Sequence, residues 1–283
     1  MLHYNSSSMN QQANGQIFQL NNQVIIVTGG TGILGNSFVK ALAYAGARVI
    51  IIGRKADIGN KLVEEVKSTG GDALFIQCDV LSREDLALAA EKTIEAYGRI
   101  DALVNAAGGN VAGAVVGPDD DIFEVNLDAL HDVFELNLFG TILPTVIFGK
   151  YMAKHGGSIV NISSMASQKA ITRVLGYSMA KAGVDSFTKW MSVELAKRYG
   201  GSIRINAIAP GFFVTTQNKH LLVQEDGSYT ARGEAVIHNT PYGRFGDPEE
   251  LNGTLIWLLS KASGFVSGEI ICVDGGFNVF SGV

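Results

Sequence analysis

The sequence predicts an α/β domain, doubly wound about one parallel sheet. Three observations lead there: short β-branched runs alternate with longer stretches of helical period, glycine follows most of those stretches, and no linker, repeat or composition break divides the chain. Seven runs read as strands, at residues 24–28, 48–52, 73–77, 102–105, 158–162, 204–207 and 270–273. Between them, residues 34–45, 57–69, 84–97, 128–154, 175–199 and 248–259 read as helices. The first strand, Val24-Ile25-Ile26-Val27-Thr28, is almost continuously apolar, as in a sheet covered on both faces. Gly46, Gly70, Gly98, Gly156 and Gly200 each follow a helical run, where a left-handed cap needs no Cβ.

At 283 residues the chain has the length of one large domain or two small ones, and the lack of a break favours one, over residues 21–283. Residues 1–20 are polar and read as a flexible arm. With 47% apolar and 17% charged residues the bulk cannot be disordered. A net charge of −5 supplies no basic field for nucleic acid, so a small-molecule partner is expected. Glycine is abundant, at 34, but has no three-residue period, which excludes collagen. Cys78 and Cys272 lie far apart and form no disulfide framework, which suits a reducing cytoplasm. No signal peptide is visible, and no apolar run is read as approaching the roughly 20 residues of a membrane span, so no membrane partner is expected.

Two long connections remain, 109–127 and 211–247. In open parallel sheets such loops wall the ligand pocket outside the carboxyl ends of the strands. Asp119-Asp120-Asp121 in the first lacks metal-ligand spacing and reads as a solvated loop, with no metal.

The first strand runs into Gly29-Gly30-Thr31-Gly32-Ile33-Leu34-Gly35 and then a helix. Gly30-x-Gly32-x-x-Gly35 is the dinucleotide fingerprint in its required context, and makes the sheet Rossmann-type. Its glycines allow a tight turn, close approach of a pyrophosphate and close helix–strand packing, with the helix N-terminus facing the negative charge. An ordinary βα turn is the alternative. A nucleoside-triphosphatase loop shares the spacing up to Ser37, but Asn36 stands where that motif requires lysine. After the second strand, Ile52-Gly53-Arg54-Lys55 offers two cations and no acid, which favours NADP(H) and leaves NAD(H) possible. The alternative is that Arg54 and Lys55 merely face solvent.

Tyr177-Ser178-Met179-Ala180-Lys181 places a phenol and an ammonium four residues apart on one helical face. A nearby ammonium stabilises phenolate, so the phenol can exchange a proton with an alcohol or carbonyl oxygen nearer neutral pH. Ser164, at the end of the strand-like run 159–164, is positioned to donate to the same oxygen. Tyr-x-x-x-Lys also arises on exposed helix faces; the combination with Ser164 and the glycine loop is what points to chemistry.

From about Gln23 to the C-terminus the chain resembles the short-chain dehydrogenase/reductase family. The matching segments are Thr28 to Gly35, Cys78-Asp79-Val80, Asn105-Ala106-Ala107-Gly108, Asn137 within Leu136-Asn137-Leu138-Phe139-Gly140, Ile162-Ser163-Ser164, Tyr177 with Lys181, and Pro210-Gly211. The resemblance implies that Ser164, Tyr177 and Lys181 form a catalytic triad, completed by Asn137 through a water and proton relay. It implies adenine contacts at Asp79 and Val80, a cofactor cleft lined by Asn105, Ala106 and Gly108, and a nicotinamide carboxamide held near Pro210, Gly211 and Thr215. The family chemistry is hydride transfer between nicotinamide and a carbonyl carbon, and a homo-tetramer is the family's usual assembly.

One glycine is displaced. The short-form pattern expects glycine at the position of Ile33, but it falls at Gly32. An extended sugar-nucleotide branch has such spacing, yet the Asn105 and Ser164 segments and the chain length look like the short form. The same displacement is similar to the D-mannonate oxidoreductase (fructuronate reductase) group, as are Gly108-Gly109-Asn110, Thr240-Pro241-Tyr242-Gly243-Arg244-Phe245-Gly246 and Val273-Asp274-Gly275-Gly276-Phe277. That resemblance implies reversible reduction of D-fructuronate to D-mannonate, but also an acid where this chain has Gly53. Alternatives are a dehydrogenase of another polyol or sugar acid, such as a gluconate 5-dehydrogenase, and a non-catalytic nucleotide sensor. A sugar-acid carboxylate needs a cation, for which Arg173 is the candidate, with Asn110 and Asn218 for hydroxyls. A solvent-exposed arginine and turn asparagines are the alternatives.

Overall fold

The computed structural model describes residues 15–215 and 218–283. Its strands are β1 (Val24–Thr28), β2 (Arg48–Gly53), β3 (Asp72–Gln77), β4 (Ala102–Asn105), β5 (Gly157–Ile162), β6 (Ile203–Pro210) and β7 (Ile270–Val273). They form one sheet in the order β3-β2-β1-β4-β5-β6-β7, every pairing parallel. The order reverses between β1 and β4, which opens a crevice at their carboxyl ends.

The helices are α1 (Ile33–Tyr44), α2 (Ala56–Ser68), α3 (Arg83–Tyr97), α4 (Leu127–Phe134), α5 (Gly140–Met152), α6 (Leu175–Tyr199), α7 (Lys219–Leu222), α8 (Ala231–His238) and α9 (Asn252–Leu259). Strand alternation divides the core between two faces. Ile25, Val27, Val49 and Ile51 pack with Phe38 and Leu42 of α1, Leu62 of α2 and Leu255 of α9. Val24, Ile26, Ile50 and Ile52 pack on the other face with Leu86 of α3, Phe148 of α5 and Leu195 of α6. The five glycines read as caps all have positive φ.

Four expectations are corrected. The helix expected over 128–154 is interrupted: α4 and α5 are joined by a π-helical turn, Glu135–Phe139. Asn137 Nδ2 donates to the Val133 carbonyl at 2.8 Å, Thr141 Oγ1 donates to the Asn137 carbonyl at 2.9 Å, and Pro144 has no N–H to return to the ladder. Together, Leu127–Met152 is long and apolar enough to cross a membrane by length and composition, against the expectation of no such run. It nonetheless packs against β4, β5 and α6 as a core element, with Asn137, Thr141 and Thr145 buried along it. Residues 248–259 begin as a tighter 3-10 turn, Pro248–Leu251, held by a capping box between Asp247 and Glu250, before α9 continues. The folded body also starts before residue 21: Gln16–Phe18 forms a 3-10 turn, and Leu20 is fully buried against the α1 side of the sheet. Residues 1–14 of the expected arm, and residues 216 and 217, lie outside the described residues.

Candidate active site

At the carboxyl edge of β1, Thr28 Oγ1 accepts the N–H groups of Ala106 and Ala107, both at 3.2 Å. This latches the glycine loop to the loop after β4. Gly29, at φ +64°, approaches so closely that a Cβ would stand 2.7 Å from the Ala107 backbone, and one on Gly35 would collide with the Gly29 carbonyl oxygen. Gly30 packs against Ile51 of β2, and Gly32 flanks α1 with no side-chain cap and no acidic residue in the first turn. The N–H groups of Ile33, Leu34 and Gly35 therefore lack helical acceptors and face the loop, as an anion site requires. A bare-backbone cradle that a Cβ would fill fits a dinucleotide pyrophosphate.

Thr31 closes over the end of β2, where a Cβ on Gly53 would stand 2.7 Å from Thr31 Oγ1. A side chain at position 53 would therefore require Thr31 to shift, and Arg54 and Lys55 stand exposed just beyond. Asp79 accepts Leu81 N–H at 3.0 Å and gives its own N–H to Asp85 at 2.9 Å, which orders the loop after β3, with Val80 buried. Asn105 is buried at the end of β4, and its Nδ2 donates to Thr145 Oγ1 at 2.9 Å and Asn161 Oδ1 at 2.8 Å.

The four residues expected to be catalytic come together. Asn137, fully buried in the π-helical turn, exchanges two bonds with Gly109, accepting its N–H at 3.0 Å and donating to its carbonyl at 2.7 Å. Lys181 is 4% exposed; its ammonium donates to the Ile162 carbonyl at 2.7 Å and stands 5.6 Å from the centre of the Tyr177 ring. Gly108 fits between them: a Cβ there would be 2.8 Å from Asn137 Oδ1 and 3.2 Å from Lys181 Nζ. Burial holds the Lys181 pKa down at about 8, against a weaker upward pull from the Asp185 carboxylate. Burial also pushes the Tyr177 phenol up, while the neighbouring Ser164 hydroxyl opposes it. Ser164 Oγ accepts the Ala166 N–H at 3.1 Å, which fixes the serine as the cap of a short turn. A phenol, a hydroxyl and a buried cation therefore converge where a carbonyl oxygen can be protonated.

Sequence reasoning passed over a support for this cluster. Asp185, one turn beyond Lys181, is buried and receives the hydroxyls of Ser163 and Ser167, the latter at 2.6 Å. The carboxylate thereby pins the segment that carries Ser164. Its i, i+4 spacing from Lys181 was the available signal.

The loop after β6 starts at Pro210 and Gly211, whose N–H donates to the Val273 carbonyl at 2.9 Å. Thr215 follows, and its N–H is held by Asn218 Oδ1 at 2.7 Å, while Asn218 Nδ2 donates to the Phe213 carbonyl at 2.9 Å. Asn218 is thus engaged with its own loop. Asn110 Oδ1 accepts the Val111 N–H at 3.1 Å, again a bond within its own loop. Arg173 is half-buried in the loop entering α6. A cavity of about 300 Å³ lies between Phe212, Tyr242, Arg244 and Asp274. Among the described residues no group of side chains suits a metal ion, and Asp119, Asp120 and Asp121 are exposed.

Residues 31–278 match a family model described as enoyl-(acyl carrier protein) reductase. An uncharacterized oxidoreductase of Bacillus subtilis strain 168, UxuB, is 40% identical over 268 residues, covering 91% of this chain and 95% of its own. A Haemophilus crystal structure with bound NAD, provisionally named a D-mannonate oxidoreductase, shares 38% identity at a TM-score of 0.87, over 94% of this chain and 98% of its own. A gluconate 5-dehydrogenase from Burkholderia cenocepacia, solved with NADP and tartrate, shares 30% identity at a TM-score of 0.83, over 93% and 98%.

Proposed function

The chain belongs to the short-chain dehydrogenase/reductase family, and from that premise we propose that it reversibly reduces a keto-sugar acid, with D-fructuronate to D-mannonate as the preferred pair. One observation carries the chemistry: Asn137, Ser164, Tyr177 and Lys181 meet beside a glycine cradle shaped for a dinucleotide. The sugar-acid substrate is supported by likeness to the Haemophilus and Burkholderia proteins and by the half-buried Arg173 four residues before Tyr177.

When bound, the nicotinamide cofactor supplies or accepts the hydride. The glycine loop and the first turn of α1 hold its pyrophosphate, Asp79 and Val80 its adenine, and Pro210, Gly211 and Thr215 its carboxamide. Arg54 and Lys55, with no acid at position 53 to repel a phosphate, favour NADP(H). Tyr177 gives its proton to the substrate carbonyl oxygen in reduction and takes it back in oxidation. Ser164 donates to the same oxygen, the Lys181 ammonium favours the phenolate, and the turn that carries Asn137 holds a water through which protons are relayed.

A gluconate 5-dehydrogenase is the second reading, favoured by the Burkholderia neighbour with NADP and tartrate. A non-catalytic sensor is disfavoured physically, because it gains nothing from burying the Lys181 ammonium. Two free thiols suit the cytoplasm, and exposed Val146, Met179, Trp190 and Val193 on α5 and α6 offer an apolar face for a homo-tetramer. The chemistry is tested by NADPH oxidation with D-fructuronate and 5-keto-D-gluconate, repeated with Tyr177→Phe. That variant is expected to lose about 10²-fold or more in kcat; unchanged turnover contradicts the assignment.

A further inference from the structure

Arg173 does not stand alone. Arg232, the second residue of α8, reaches back to the loop that enters α6, where its guanidinium donates to Thr172 Oγ1 at 3.2 Å and to the Thr172 carbonyl at 3.1 Å. The next residue is Arg173, held at φ +73°, a region that side chains other than glycine avoid. Its carbonyl accepts the Val116 N–H at 3.0 Å, which ties it to the connection over residues 109–127. Both walls of the pocket and the entry to the catalytic helix therefore meet at these two arginines.

Arg99, Arg198 and Arg244 each have a carboxylate within ion-pair distance, whereas Arg173 and Arg232 have none among the described residues. Both are half-buried. Burial, and then the positive charge of Arg173, hold the Arg232 guanidinium below its ordinary pKa. Arg232 is thus anchored on the residue before Arg173, near enough to feel its charge, and neither has a carboxylate partner among the described residues, so an anion bound between them would relieve the repulsion. A guanidinium pair matches a carboxylate in both charge and planar donor geometry.

We propose that Arg173 and Arg232 together bind the carboxylate of the sugar-acid substrate, with Arg232 carrying α8 over the pocket, and that the pair selects anionic ketoses over neutral ones. This rests on the reading of the protein as a sugar-acid reductase. The full-length enzyme with NADPH is assayed on D-fructuronate and on the neutral diketone diacetyl, as wild type, Arg173→Gln and Arg232→Gln. Each substitution is expected to raise KM for the acid about tenfold or more, the weight of a charged hydrogen bond, while in Arg232→Gln the KM and kcat for diacetyl stay within about twofold. An equal change for both substrates would show a merely structural Arg232 and overturn the proposal, as would an unchanged KM for the acid. Should the wild type reduce no keto-sugar acid, the functional reading fails by itself. The pair is then judged by melting of the NADPH-loaded enzyme with D-mannonate against mannitol: stabilisation specific to the acid and lost in Arg232→Gln supports it, and equal stabilisation by both overturns it.

Discussion

Lys181 shows how one side chain trades stability for chemistry. Its pKa of about 8 in the folded enzyme lies below the ordinary 10.5. Between those values the unfolded chain binds more protons than the folded one, so folding stability contributed by this group rises with pH; below about 8 the buried ammonium costs roughly 3 kcal/mol. Lys181→Met removes that term, and the melting temperature of the variant minus that of the wild type is expected to fall as pH rises from about 7 to about 10. A difference independent of pH contradicts it. The pairing of Tyr177 with Lys181 and the place of Ser164 could be read from helical spacing and a strand end, which are local, whereas Asn137 came only from the family resemblance. Arg232 was not legible, because its partner Thr172 lies 60 positions away and only the folded chain brings α8 to it.

Elements were legible in proportion to how local their causes are. The continuous apolar run of β1 and the glycine caps fix their structures within a few residues, and both were read from sequence. The π-helical turn was not, because it depends on Asn137 bonding Gly109 across the crevice as well as Val133 on its own helix. The connection over 211–247 concealed α7 and α8, both too short for an apolar period to show. The junction of β1 with α1 is geometrically demanding, since a Cβ on Gly35 would collide with the Gly29 carbonyl. Gly35→Ala must push the helix from the strand and misalign the pyrophosphate cradle. NADPH affinity, read by fluorescence titration, is expected to fall about tenfold or more; a change within about twofold would mean that the cradle lies elsewhere.

At the scale of the whole molecule, the sheet gathers residues from β1, β4, β5 and β6 onto one carboxyl edge, and that convergence turns scattered motifs into a site. The exposed apolar faces of α5 and α6 belong to the same scale. Light scattering is expected to give about four times the chain mass of 30.1 kDa, and a monomer would contradict the tetramer. The proposed roles of the Gly53 and Arg54 junction in cofactor choice, and of the arginine pair in substrate charge, enter one assay. Initial rates with NADPH and NADH are measured on D-fructuronate, 5-keto-D-gluconate and D-fructose, the last a neutral ketose. The expected result is the highest kcat/KM for D-fructuronate with NADPH, with D-mannonate formed in step with cofactor oxidation; D-fructose reduced as efficiently as either acid would contradict a sugar-acid reductase.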